Sequence, residues 1–287
     1  MGVVVKQSIK GTIVNYLGVA IGAFTTFFIL TRYLTAEEVG LTRVLVEAAT
    51  LLSGLSQLGT SASILRYYPY FKDEKNKDNG FFFWSIVIPL IGFALFSLVY
   101  VILKTPITSY FAEKSELFNS FYFYVLPLAF FLLYVTVFEA NANVLLRIVV
   151  PKFVREVLVR VLSLGCYLIY AFRLISLEGF VIAFCGVYAV AMIIDIVYLF
   201  RLGKISIRPN YAFLTPEIKR NYLFYTAFLV VASLATTITP FLNTFFISAK
   251  MGLTFTGIYT IAVFIASVIE VPYRSLGAIS QTRISQA

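Results

Sequence analysis

Apolar runs of about twenty residues follow one another almost from end to end, and short stretches rich in charge, Tyr and Pro separate them. Each run approaches the ~20 residues that a helix needs to cross the hydrocarbon of a bilayer. The pattern predicts helices over about 9–33, 39–65, 81–103, 121–146, 154–172, 179–200, 222–248 and 254–272. The fold class that follows is all-α: a polytopic membrane protein with about eight transmembrane helices. Residues 1–200 read as an N-terminal six-helix transmembrane bundle, 201–221 as a cytoplasmic linker, and 222–287 as the first two helices of a C-terminal bundle. Gly18 and Gly22 have the small-xxx-small spacing that lets a neighbouring helix come close. The second run is the most polar, with Ser53, Gly54, Ser56, Gln57, Gly59, Thr60, Ser61 and Ser63.

Charge sharpens this picture. Charged residues make up 13% of the chain, against roughly a quarter in soluble domains. The net charge is +9. Its Lys and Arg, however, crowd into the loops on one side by roughly three to one, the bias that places a loop in the cytoplasm. The expected topology is a multi-pass chain with a cytoplasmic N-terminus, and nucleic acid is not an expected partner. Lys6 and Lys10 precede an apolar run longer than the ~7–15 residues of a signal peptide core, so this run reads as an uncleaved first helix. Histidine is absent, which removes the commonest general base and metal ligand. Cys166 and Cys185 have no metal spacing. No metal, cofactor or catalytic residue is expected, and the chain does not read as an enzyme.

A few charges fall inside the runs. One at the centre of a membrane helix costs roughly 2.5–3.5 kcal/mol on insertion scales, so it calls for a partner, water or a function. Arg43 and Glu47, Glu156 and Arg160, and Glu270 and Arg274 are each four residues apart, on one helix face, and can pair. Glu139 stands apart: Asn141 and Asn143 follow it, and the next basic residue is Arg147. It could bind a coupling cation, carry a proton, or pair with Arg43 or Arg160. Asp195 reads as interfacial. Asn243 lies beside Pro240, where a helix break would free carbonyls to line a cavity.

The turn between the first two runs carries a recognisable pattern. Thr31-Arg32-Tyr33-Leu34-Thr35-Ala36-Glu37-Glu38-Val39-Gly40, then Leu58-Gly59, then Arg66-Tyr67, resembles the start of bacterial polysaccharide (O-antigen type) flippases, which share a superfamily with multidrug and toxic-compound extruders. Arg32, Leu34, Gly40, Gly59 and Arg66 match; Thr35, Ala36 and Val39 depart. Asn243-Thr-Phe-Phe-Ile, Gly252 and Gly257-Ile258-Tyr259 resemble the family's seventh and eighth helices. Such proteins usually have about twelve to fourteen spans, so by this resemblance the chain looks truncated.

The resemblance implies a flippase that carries an oligosaccharide linked to undecaprenyl (polyprenyl) diphosphate across the inner membrane, for lipopolysaccharide, O-antigen or similar surface polysaccharide, by alternating access of two bundles. Its partners would be the lipid-linked oligosaccharide, membrane lipids and polysaccharide assembly proteins. Arginine can hold phosphate in a two-pronged grip. The residues expected to line the substrate pathway are Arg32, Arg43, Glu47, Glu139, Arg160 and Asn243. Two other classes stay open: a cation-coupled drug extruder, and an integral-membrane polysaccharide polymerase or ligase. The second would normally need a large outer loop bearing acid and base groups.

Overall fold

The computed structural model describes residues 3–73, 78–111, 115–203, 207–210 and 215–267. Among them there are helices, turns and loops and no strand. The protein is an all-α polytopic membrane protein, and the described residues of each predicted apolar segment lie mainly on helices. Among the described residues, five helical stretches are long and apolar enough to cross a membrane, and a shorter apolar helix, Leu253–Ser267, joins them.

Helix α1 covers 3–33 and includes a wider π-helical turn at Thr25–Leu30. Thr25 and Thr31 hydroxyls donate to the carbonyls of Ile21 and Phe27, at 2.8 and 2.7 Å, a local bond that Thr often makes inside a helix. Leu34 is extended, and α2 (Ala36–Ser56) begins with a capping box. The Glu38 N–H donates to Thr35 Oγ1 at 3.3 Å and the Thr35 N–H to Glu38 Oε2 at 2.8 Å, which satisfies two donors that the helix end leaves free.

The second apolar run is not one helix, as its pattern predicts. It breaks at Leu58 and Gly59, both in the left-handed region with φ of 48° and 68°, and resumes as α3 (Thr60–Phe71). Glycine reaches this conformation without steric cost. Two of the Ser residues around the break make local hydrogen bonds. Ser56 donates to the Leu52 carbonyl at 2.7 Å and Ser61 to Gln57 Oε1 at 2.6 Å.

Helix α4 (Phe81–Ile102) runs through Pro89 unbroken. Two short helices, α5 (Lys104–Phe111) and α6 (Glu116–Ser120), lead to α7 (Val125–Val144). Helix α8 covers 149–171, again with a wide turn, at Val154–Leu158. It pairs with α9 (Leu177–Arg201) as the predicted hairpin. Helix α10 (Pro216–Lys250) is continuous through Pro240, and α11 is Leu253–Ser267.

Helix α2 is the centre. It packs on α4, α7 and α10, and α7 in turn packs on α9. Leu41, Val44, Leu45 and Ala49 of α2 share one buried cluster with Tyr122, Val125 and Leu128 and with Phe180 of α9. Helix α4 turns Leu90, Ile91, Leu95 and Leu98 outward, exposed, as a lipid-facing helix does. Gly18 and Gly22 fulfil their expected role: a methyl on Gly18 would meet the Glu156 backbone of α8, and Gly22 faces the Arg160 guanidinium.

The up-and-down course sorts helix ends into two sets. One end of the bundle holds the finish of α3, α7 and α9 and the start of α4, α8 and α10. The other holds the finish of α1, α4, α8 and α10 and the start of α2, α7, α9 and α11. We call them the linker end and the seam end.

Candidate functional site

At the linker end, α3 and α10 diverge around a cavity of about 1020 Å³, lined by Arg66, Tyr67, Tyr70, Thr215, Glu217, Arg220, Asn221, Phe224, Tyr225 and Phe228. The position of α10 here is set by the chain before it: the 208–210 backbone lies close against Gly80 at the start of α4, and Asn210 Nδ2 donates to Asn79 Oδ1 at 3.3 Å. The Arg66 guanidinium lies over the Tyr225 ring, 4.2 Å from its centroid, and 5.9 Å from that of Tyr67. Tyr67 also meets the rings of Tyr222 and Tyr225 at 5.2 and 5.8 Å. Two guanidinium groups thus share one space with five aromatic rings. Such a wall offers cations to an anionic group and flat apolar faces to a sugar ring. Just inside, Leu229 sits against Gly59, where a methyl would come within 2.9 Å of its Cβ.

The seam end is shut. Gly40 of α2 and Gly257 of α11 lie directly against the Leu253 and Ala36 backbones. Ser115 Oγ donates to the Ser248 carbonyl at 2.6 Å, Ser248 and Thr256 share a hydroxyl bond of 2.7 Å, and Lys250 lies over the Tyr110 ring at 5.2 Å. Tyr170 donates to Glu38 across the same end.

The six residues expected to line the pathway do not form one site, and none is among the described residues lining the large cavity. Arg32 is exposed at the seam end, its guanidinium 5.7 Å from the Tyr33 ring. Arg43 and Glu47 pair with each other as their spacing predicts. Glu47 is almost fully buried beside Thr244 of α10, and neither Arg43 Nε nor Glu47 Oε2 has a hydrogen-bond partner. Asn243 itself is exposed on an unbroken helix, so its neighbour Thr244 makes the contact to α2.

Glu139 pairs with neither Arg43 nor Arg160. Arg155 Nη1 of α8 donates to its Oε2 at 2.7 Å. Arg155 Nε also reaches Glu156 Oε1 at 3.4 Å, and Arg160 Nη2 reaches Glu156 Oε2 at 3.2 Å. Four alternating charges therefore tie α7 to α8. Asn141 is occupied structurally, donating to Ser85 Oγ at 3.1 Å and the Val137 carbonyl at 2.9 Å. Asp195 is not interfacial; it is completely enclosed. The pair expected at Glu270 and Arg274 lies outside the described residues. Tyr134 and Tyr167 are packing residues: Tyr134 donates to the Ile86 carbonyl at 3.1 Å, and Tyr167 stacks among Phe180 and Phe184.

The sequence pattern does not single out the cavity's cations: Arg66 stands in the family-like motif and Arg220 at the end of the polar linker. The signal that could have found them is Arg66 beside Tyr67 and Tyr70, matched far along the chain by Arg220 beside Tyr222, Phe224 and Tyr225.

The helical membrane bundle is thus closed at the seam end and holds a cationic, aromatic cavity at the linker end. Residues 8–278 match the family described as polysaccharide biosynthesis protein, and the chain belongs to that family. Neither the search of curated proteins nor that of solved structures gave a match.

Proposed function

We propose that this protein is a flippase that moves a polyprenyl-diphosphate-linked oligosaccharide across the bacterial inner membrane for surface polysaccharide assembly. The observation that carries the reading is the cavity between α3 and α10. Arg66 and Arg220 provide two cations for a diphosphate, and Tyr67, Tyr70, Phe224 and Tyr225 provide faces for sugars. Family membership supports the polysaccharide context. Residues up to Arg201 act as one bundle and α10 with α11 as a second unit, with the cavity at their junction, where transporters of this kind place their site.

The linker end is cytoplasmic in this reading. Arg66, Lys72, Arg147, Lys152, Arg155, Arg201, Arg208 and Arg220 gather there, against Arg32, Lys104, Arg173 and Lys250 at the other end, which favours that side by the positive-inside rule. The conformation is then inward-facing. The cavity receives the head group, and half-exposed Arg43 with its buried partner Glu47 would meet it when the seam parts. The protein transports and carries out no bond-breaking step. The partners are the lipid-linked oligosaccharide, membrane lipids and polysaccharide assembly proteins.

The test is complementation of a flippase-deficient strain, with surface polysaccharide as the readout and protein level held equal. Arg66→Ala and Arg220→Ala abolish rescue, and Arg66→Lys restores only part of it, because an ammonium lacks the two-pronged grip. If both alanine variants rescue fully, the cavity is not the site. If no form rescues and drug tolerance rises instead, the extruder reading replaces this one.

A further inference from the structure

Asp195 occupies the interior face of α9, opposite α7 and α8. None of its surface reaches solvent, and neither Oδ1 nor Oδ2 has a hydrogen-bond partner. An ionised carboxylate in such a place has given up water and received no donor in return. Its surroundings are otherwise apolar: Ala191 lies one turn before it on α9, within a buried cluster with Val135, Val154, Val159 and Val187.

Val135, one turn before Glu139 on α7, and Val154, next to Arg155 on α8, lie in that same cluster, so the facing helices bring the Glu139–Arg155 pair up to Asp195. Beyond them lie Glu156 and Arg160, in the same chain of bonds. Lys152 adds its charge on the Glu139 side and lies along α1 at Gly11, 3.5 Å from where a methyl there would sit. Both guanidinium groups are already engaged, Arg155 with Glu139 and Glu156 and Arg160 with Glu156. Asp195 is the carboxyl group left over.

We propose that Asp195 is a proton-binding site, and that Arg155 passes between Glu139 and Asp195 as the proton moves. In the form seen here Asp195 carries the proton and is neutral, while Arg155 holds the Glu139 carboxylate. In the other form the O–H bond at Asp195 breaks and one at Glu139 forms. The negative charge moves to Asp195 and the guanidinium follows it. Glu139 and Arg155 keep 15% and 47% side-chain exposure whereas Asp195 keeps none, so a proton on Glu139 exchanges fast and one on Asp195 slowly. The cluster thus has a closed and an open position for one proton. This inference rests on the enclosure of Asp195 and the charges that face it, and its test reads no transport, so it stands or falls apart from the flippase reading.

The experiment is infrared spectroscopy of the full chain in lipid nanodiscs at neutral pH. The C=O stretch of a protonated carboxyl group is well separated from the carboxylate bands and shifts in D2O. The wild type shows this band, and Asp195→Asn, which mimics the neutral form, loses it. Glu139→Gln also loses it, because the released guanidinium turns to Asp195 and the proton leaves. A wild type without the band, or a band that survives Asp195→Asn, overturns the site. A band that survives Glu139→Gln overturns the exchange. A band present in choline medium and absent in sodium overturns the proton assignment in favour of a bound metal cation.

Discussion

Replacing Gly257 with alanine tests whether the seam is a gate. A methyl there would stand 2.8 Å from the Ala36 carbonyl carbon and 3.1 Å from the Ala36 Cα. Carbon atoms settle at ~3.5–4.0 Å. The obstacle is backbone, which cannot turn aside, so α2 and α11 have to separate by about 1 Å. Overfilling a packed contact costs about 1–3 kcal/mol, and here the cost falls on the seam-closed form alone. At about 1.4 kcal/mol per tenfold, a central cost of about 2 kcal/mol shifts the population towards the seam-open form by roughly thirtyfold. Ser248 and Thr256 are fully buried behind the seam. A Ser248→Cys reporter, in a background with Cys166 and Cys185 replaced by serine, should react with a membrane-impermeant thiol reagent about ten times faster or more when Gly257→Ala is added. Gly165→Ala is the control, since a methyl there meets nothing within 4 Å. If Gly257→Ala labels at the same rate as its parent while keeping its thermal stability, the seam absorbs the methyl without opening, and the gate argument fails.

Three further outcomes are expected. Gly59→Ala should lower stability by about 1–3 kcal/mol, the usual cost of a strained backbone position, because φ is +68° and Leu229 blocks the new methyl; thermal unfolding in detergent reads this as a lower Tm. Tyr100 and Tyr122 stack at 4.3 Å and each hydroxyl donates to the other's carbonyl, at 3.1 and 2.7 Å, so Tyr122→Phe should cost about 1 kcal/mol, the net worth of one such bond, and Tyr100→Phe a similar amount. Arg155→Ala should destabilise by about 1–2 kcal/mol, between an exposed pair and a buried one, and Glu139→Gln should recover part of that loss; a double-mutant cycle with no coupling would show that the bond contributes nothing.

The helices were legible and their orientations were not. A run such as Phe81 to Leu103 is bounded by charge and by Gly80, and the structure places α4 over Phe81–Ile102. Yet α4, α7 and α9 are apolar on nearly every side, so their sequences do not say which face is inward. That is why Asp195 reads as interfacial from its distance to the helix end, although its rotation about α9 turns it inside. The break at Leu58 and Gly59 was hidden because apolar residues continue on both sides, and only the cluster of Ser and Thr marks it. Ion pairs within one helix, such as Arg43 with Glu47, follow from spacing. The bond from Arg155 to Glu139 depends on how α8 lies against α7, which no local pattern encodes.

The length of α10 has a consequence for where the work of transport begins. Its 35 residues rise about 1.5 Å each and reach about 52 Å, while bilayer hydrocarbon is about 30 Å thick. The seam holds the Lys250 end, so the excess emerges at the opposite end, where the first turns carry Glu217, Arg220 and Asn221. In the proposed flippase that stretch would stand among lipid head groups, and a diphosphate would pass from the neighbourhood of other phosphates to that of Arg66 and Arg220 within the polar layer of the membrane. The steep part of its path would then start deeper, at the constriction where Leu229 meets Gly59, and an energy source would have to act there.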